Sequence, residues 1–100
     1  MDKLKKKLDE LSAVAWVRQL NARIPPDRRA ELEGEQGALD WALAVLGSHD
    51  ALERVRGSAD DLEGDKRHEA RGALRALRKV ERALVCLAET GDECAACRIL

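Results

Sequence analysis

Three cysteines are the residues of this chain best equipped for chemistry. Cys94-Ala95-Ala96-Cys97 has the C-x-x-C spacing that serves zinc binding and dithiol redox exchange. A structural zinc ion takes four ligands. No second C-x-x-C occurs, so Cys86 and a distant histidine, His49 or His68, would have to complete the set. Redox C-x-x-C motifs normally follow a strand at the start of a long helix, and no strand is apparent. The expectation is therefore incidental thiols, with Cys86, Cys94 and Cys97 as weak metal candidates and no cofactor. Cys97-Arg98-Ile99-Leu100 also fits the C-a-a-X prenylation pattern. Glu89, Asp92 and Glu93 stand where basic residues would strengthen a membrane anchor, so no membrane partner is expected.

Catalysis has little else to draw on. The chain has two histidines, no tyrosine, and neither a glycine-rich phosphate loop, a nucleophile elbow nor an H-E-x-x-H pair. Asp65-x-x-His68 has carboxylate–histidine spacing, but a di-iron bundle needs two such pairs and further glutamates. The chain is not expected to be an enzyme.

Charge offers more. Arg71, Arg75, Arg78 and Arg82, with Lys79 beside them, recur at helical spacing and form a basic ridge. Such a ridge could grip phosphates or a carboxylate-rich protein surface. Its ordinary reading is a solvated face with pairs such as Arg78–Glu81 and Arg82–Glu89. Direct binding of nucleic acid is not expected, because the net charge is -1 and only two tryptophans could serve as stacking platforms. Asp27, Glu31 and Glu35, at i, i+4 and i+8, make a converse acidic face, and Glu53, Asp60, Asp61, Glu63 and Asp65 crowd the region after it. Residues 1–26 carry six basic and three acidic groups, residues 27–65 four and eleven, and residues 66–100 eight and five. Two consequences are open. Acidic and basic helices neutralise each other as neighbours, or a charged face steers a partner of opposite sign.

The elements that would position these groups are helical. Ala and Leu supply 16 and 15 residues, and Phe and Tyr are absent, which favours helix over sheet. The clearest element is Arg67 to Glu89, whose Ala70, Ala73, Leu77, Val80, Leu84 and Leu87 step by three and four residues along one seam. Glu81 sits at the rim of that seam, so either an arginine of helix 1 or 2, such as Arg18, pairs with it, or that rim is a binding surface. Helix 1 is expected from an Asp2 cap to about Asn21, before Pro25, with Leu4, Leu8, Leu11 and Ala15 inward. Its second half is apolar almost all round, through Ala13, Val14, Trp16, Val17 and Leu20, and Trp16 and Leu20 are candidates for a second surface.

Pro25 and Pro26 open helix 2, which turns Leu32, Leu39, Ala42, Leu43 and Leu46 inward. Gly34, Ala38 and Ala42 form a strip of small residues suited to close helix approach, although Gly34 could equally break the helix. Ser48 could cap helix 3, with Leu52, Val55, Ala59 and Leu62 as its seam. Gly64 with Asp65 is expected to separate helix 3 from helix 4, and one continuous helix is the alternative. Gly91 ends helix 4, and one further turn follows.

The sequence thus predicts an all-α fold, a compact antiparallel bundle of about four helices at 3–22, 26–46, 49–63 and 66–89 with a short C-terminal turn. Residues 1–100 are read as one domain, with helices 1 and 4 the longest. No apolar run approaches the roughly 20 residues of a membrane span, and the lysine-rich start lacks a signal-peptide core, so the expected compartment is the cytoplasm. The expected function is non-catalytic binding of another protein or a nucleoprotein complex, as an adaptor or inhibitor. One version is a phage or mobile-element inhibitor of a host machine such as a CRISPR effector. The partner-binding candidates are Arg71, Arg75, Arg78, Lys79, Arg82, Trp16 and Leu20. A small zinc-stabilised or nucleic-acid-associated module and a homodimeric bundle are the alternatives.

Overall fold

The computed structural model describes residues 1–100 and contains five helices and no strand. They are α1 (Asp2–Gln19), α2 (Pro26–Val45), α3 (Ala51–Leu62), α4 (His68–Thr90) and α5 (Glu93–Ile99). The four-helix bundle with a short C-terminal element is present. α4 is the longest helix, but α2, with 20 residues, exceeds α1, with 18. α1 stops at Gln19 rather than Asn21 because the Asn21 side chain accepts the Arg23 N–H at 3.0 Å, turning the chain before the prolines. Met1, not Asp2, precedes its first turn. Asp50 replaces Ser48 at the start of α3, and its carboxylate pairs with Arg54 rather than capping the helix. Gly64, at φ 81°, makes the left-handed turn that separates α3 from α4. Gly91, at φ 67°, closes α4 by donating to the Leu87 carbonyl at 2.8 Å. The tail forms a helix, α5, whose first turn is capped by the Asp92 carboxylate accepting from Ala95 N–H.

α2 does not break at Gly34, because that glycine is where α4 crosses. A Cβ on Gly34 would stand 1.8 Å from the Glu69 carbonyl oxygen, and one on Gly72 would stand 1.9 Å from that of Glu31. The two backbones touch reciprocally. Ala38 and Ala42 on α2 and Ala76 and Ala83 on α4 continue the two small-residue strips and are all buried. α2 and α4 run in the same direction, since Asp27 meets His68 at their first turns and Glu31 meets Arg75 further along. α1 packs on α2, α3 packs on α4, and no Cα atom of α1 comes within 8 Å of one in α4. The bundle has therefore closed along one diagonal, giving a flattened body of 41 × 26 × 19 Å. α5 packs on both α1 and α4, and its Ala96 is fully buried.

The core joins Leu4 and Leu8 of α1, Leu39 and Leu46 around α2, Val55 of α3, and Leu77, Val80 and Leu84 of α4. These are mainly the seam residues that the spacing predicts. Leu11, Leu43, Leu52, Leu62, Ala73 and Leu87 lie at its margin, half-buried. No helix is long and apolar enough to cross a membrane.

Candidate functional site: a cationic groove beside an apolar helix face

The predicted arginine ridge does lie along the outer side of α4, but its members differ in what surrounds them. Arg78 is engaged by three carboxylates, Glu81 at 2.9 Å, Asp60 at 3.0 Å and Glu63 at 3.4 Å. Those contacts hold its guanidinium charge more firmly than usual. Arg75 reaches Glu31 of α2 at 3.3 Å. Arg71, Lys79 and Arg82 have no carboxylate within ion-pair distance. The expected Arg82–Glu89 pair does not form, since seven residues place the two side chains about 10 Å apart along the helix. A shallow depression of about 460 Å³ lies between Arg78, Glu81, Arg82 and Val85.

Glu81 finds its cations elsewhere than expected. Arg56 of α3 donates to it at 2.8 Å, with Arg78 completing the pair, while Arg18 of α1 lies on the other side of α4. The Arg56 and Arg78 hydrogen bonds hold the Glu81 carboxyl below the usual carboxylate range. The α3 acidic residues thus face α4 across a clasp of ion pairs. The α2 acidic face does the same: Asp27 meets His68 at 3.4 Å, and Glu31 is shared by Arg75 and Arg28. Opposite charges of neighbouring helices meet, as the first of the two sequence readings supposes.

Where α1 and α4 stand apart, beyond the reach of α5, a groove opens over α2. Arg18 of α1, Arg28 and Glu35 of α2, and Arg75, Ala76 and Lys79 of α4 line about 150 Å³ of it. A neighbouring hollow of about 140 Å³ continues over Leu11, Leu39 and Leu100. Four cations from three helices thus converge, opposed by Glu35 and by the shared Glu31. Arg18 and Arg28 were not foreseeable as site residues, because no spacing within one helix relates them to Arg75 and Lys79.

Arg18 also borders the apolar second half of α1. Leu4, Leu8, Ser12 and Ala15 take the inward face, with Ser12 donating to the Asp40 carboxylate. The residues left over are exposed: Val14 by 44%, Trp16 by 51%, Val17 by 62% and Leu20 by 64%. Ala13, Val14, Val17 and Arg18 frame a depression of about 380 Å³. Trp16 and Leu20 therefore stand on an uncovered surface, and Val14 and Val17 extend it. Trp41 of α2, 36% exposed, is a further surface aromatic that lies off the predicted seam.

The cysteines do not assemble into a metal centre. Cys86 lies against Thr90 of its own helix, while Cys94 lies against Lys3. Nowhere do three or more His, Cys, Asp or Glu side chains converge as a metal site would require. Asp65 and His68 also part, the former to Arg67 and the latter to Asp27.

No protein-family model matches the chain, and no curated protein or solved structure is significantly similar to it.

Proposed function

We propose that the chain is a non-catalytic protein-binding module. In this reading its partner presents an apolar stripe to Val14, Trp16, Val17 and Leu20 and carboxylates to the groove of Arg18, Arg28, Arg75 and Lys79. The observation that carries this is the second half of α1, which leaves the four large apolar side chains Val14, Trp16, Val17 and Leu20 exposed on one face. Apolar contact would supply most of the affinity, while the cations would set orientation and association rate. Of the ridge on α4, Arg75 and Lys79 belong to this surface. Arg78 is engaged within the fold, and Arg71 and Arg82 lie outside the groove. An adaptor or inhibitor role follows if the bound segment is one that the partner needs for another contact. Occlusion of a nucleoprotein machine, such as a CRISPR effector by a phage or mobile-element protein, is one form of that role.

Affinity capture from a host lysate with the immobilised chain, repeated after nuclease treatment, tests the reading. One protein is expected to be retained by the wild type in both conditions. It should be lost with Trp16→Ala combined with Val17→Asp, and weakened, increasingly so with salt, by Arg18→Glu with Lys79→Glu. Arg82→Glu should leave capture intact. Retention by all variants, or loss on nuclease treatment, would refute it.

A further inference from the structure

Cys94 and Cys97 are set apart from Cys86 by their surroundings. α5 lies alongside the first half of α1, and the two cysteines share a depression of about 310 Å³ with Lys3, Lys6, Lys7 and Glu10. Cys94 is exposed and Cys97 half-buried. Lys3 Nζ donates to Cys94 Sγ at 3.4 Å. The nearby carboxylates are already engaged. Glu93 accepts from Leu4 N–H at 2.9 Å and from the amino terminus at 3.4 Å, and Asp92 accepts from Ala95 N–H. The depression itself is lined by three lysines and one carboxylate, Glu10, while Asp92 and Glu93, charged though hydrogen-bonded, also act on Lys3.

We propose that Cys94 and Cys97 form a thiol–disulfide exchange site for small anionic disulfides, with Cys94 as the nucleophile, Cys97 as the resolving thiol and Lys3, Lys6 and Lys7 as the recruiting rim. Sulfur attacks and departs as thiolate, so an ammonium beside Cys94 stabilises the charge that both steps require. That hydrogen bond also raises the Lys3 pKa, and burial, with Glu93 adding to it, raises that of Cys97. Cys94 is the exposed thiol beside an ammonium and Cys97 the half-buried one, the arrangement that an attacker and a resolver require.

In the first step, the deprotonated Cys94 sulfur attacks one sulfur of the disulfide RSSR. A Cys94–SR bond forms, the S–S bond breaks, and RS⁻ leaves and takes up the proton that Cys94 lost. In the second, Cys97 gives up its proton, attacks the Cys94 sulfur and expels the second RS⁻. The net change is protein dithiol plus RSSR to protein disulfide plus two RSH, with no other oxidant. Helical positions i and i+3 keep Cβ atoms about 5–6 Å apart, and a disulfide needs about 3.5–4.5 Å. Closure therefore shifts the first turn of α5 and withdraws Cys94 from Lys3.

The test exposes the reduced full chain to glutathione disulfide without oxygen, with acid quenching and peptide mass mapping. The wild type should lose two hydrogens, mapped to Cys94 and Cys97, while Cys86 stays reduced. Cys97→Ser should instead accumulate a glutathione adduct on Cys94. Replacing Lys3, Lys6 and Lys7 together by Gln should slow the reaction about tenfold. With the cationic disulfide cystamine the same variant should react no more slowly than the wild type. Adducts on Cys86 as fast as on Cys94, a wild-type adduct that never resolves, or lysine variants with unchanged glutathione kinetics would each overturn the proposal.

Discussion

Glu81 shows how a single side chain can be flagged by sequence and placed only by the fold. A carboxylate at the rim of an apolar seam must find a cation, because an unpaired charge there would be penalised. Its position on the helix does not say which helix supplies it. Arg56 does, with Arg78, and both hold the Glu81 carboxyl below its usual range. A depressed folded-state pKa contributes stability that is complete above the unfolded value of about 4.3 and is lost as pH falls through the folded value. Glu81→Gln should therefore cost about 1 kcal/mol near neutral pH. The unfolding curves of the two proteins should converge as pH falls below about 4. Urea titrations across that range would check it, and a constant gap down to pH 2 would rule out the ion-pair origin.

Among elements, α2 and α4 decide the architecture. Gly34 and Gly72 give up helix propensity, about 1 kcal/mol each against Ala, and in return the two backbones come into contact. A methyl group at either position meets a carbonyl oxygen rather than a flexible side chain. Gly34→Ala or Gly72→Ala should accordingly destabilise by about 3 kcal/mol or more. Gly37 and Gly57 lie on helices where an added Cβ meets nothing within 4 Å. Gly37→Ala and Gly57→Ala should stabilise by up to about 1 kcal/mol. Urea midpoints of the four variants separate the two classes, and similar effects at all four positions would contradict the close crossing. The same contrast explains why α2 passes through Gly34 unbroken: tertiary contact compensates for a weak local preference.

At the scale of the whole molecule, the closed diagonal leaves two gaps beside the α2–α4 pair. α5 fills part of one, and the cationic groove is what remains. Glu31 of α2 and Asp60 and Glu63 around the end of α3 pair with arginines of α4, so part of the charge segregation along the chain is cancelled between neighbours. The apolar surface is not cancelled. Trp16 and Trp41 are 51% and 36% exposed, so the emission maximum of the folded protein should lie close to that of the urea-unfolded chain. Far-UV circular dichroism should meanwhile report one cooperative transition. A folded-state emission that is strongly blue-shifted, and that moves red on dilution, would show a second copy covering these tryptophans.

How much of this was legible follows from what each feature depends on. The helices, their inward seams, the Gly64 and Gly91 breaks and the apolar excess of α1 were readable, because period, propensity and backbone freedom act within a few residues. Even the small-residue strip at Gly34, Ala38 and Ala42 marked a close crossing, though not which helix would cross. The α1 and α3 starts fall close to where they were expected, although neither Asp2 nor Ser48 caps them. The partner of Glu81, the lysine surroundings of Cys94 and Cys97 and the groove of Arg18, Arg28, Arg75 and Lys79 depend on contacts between residues far apart in the chain. Sequence alone determined the helices and the faces that had to be buried. Only tertiary packing decided which diagonal closed, because that choice was made by two glycines on different helices meeting backbone to backbone.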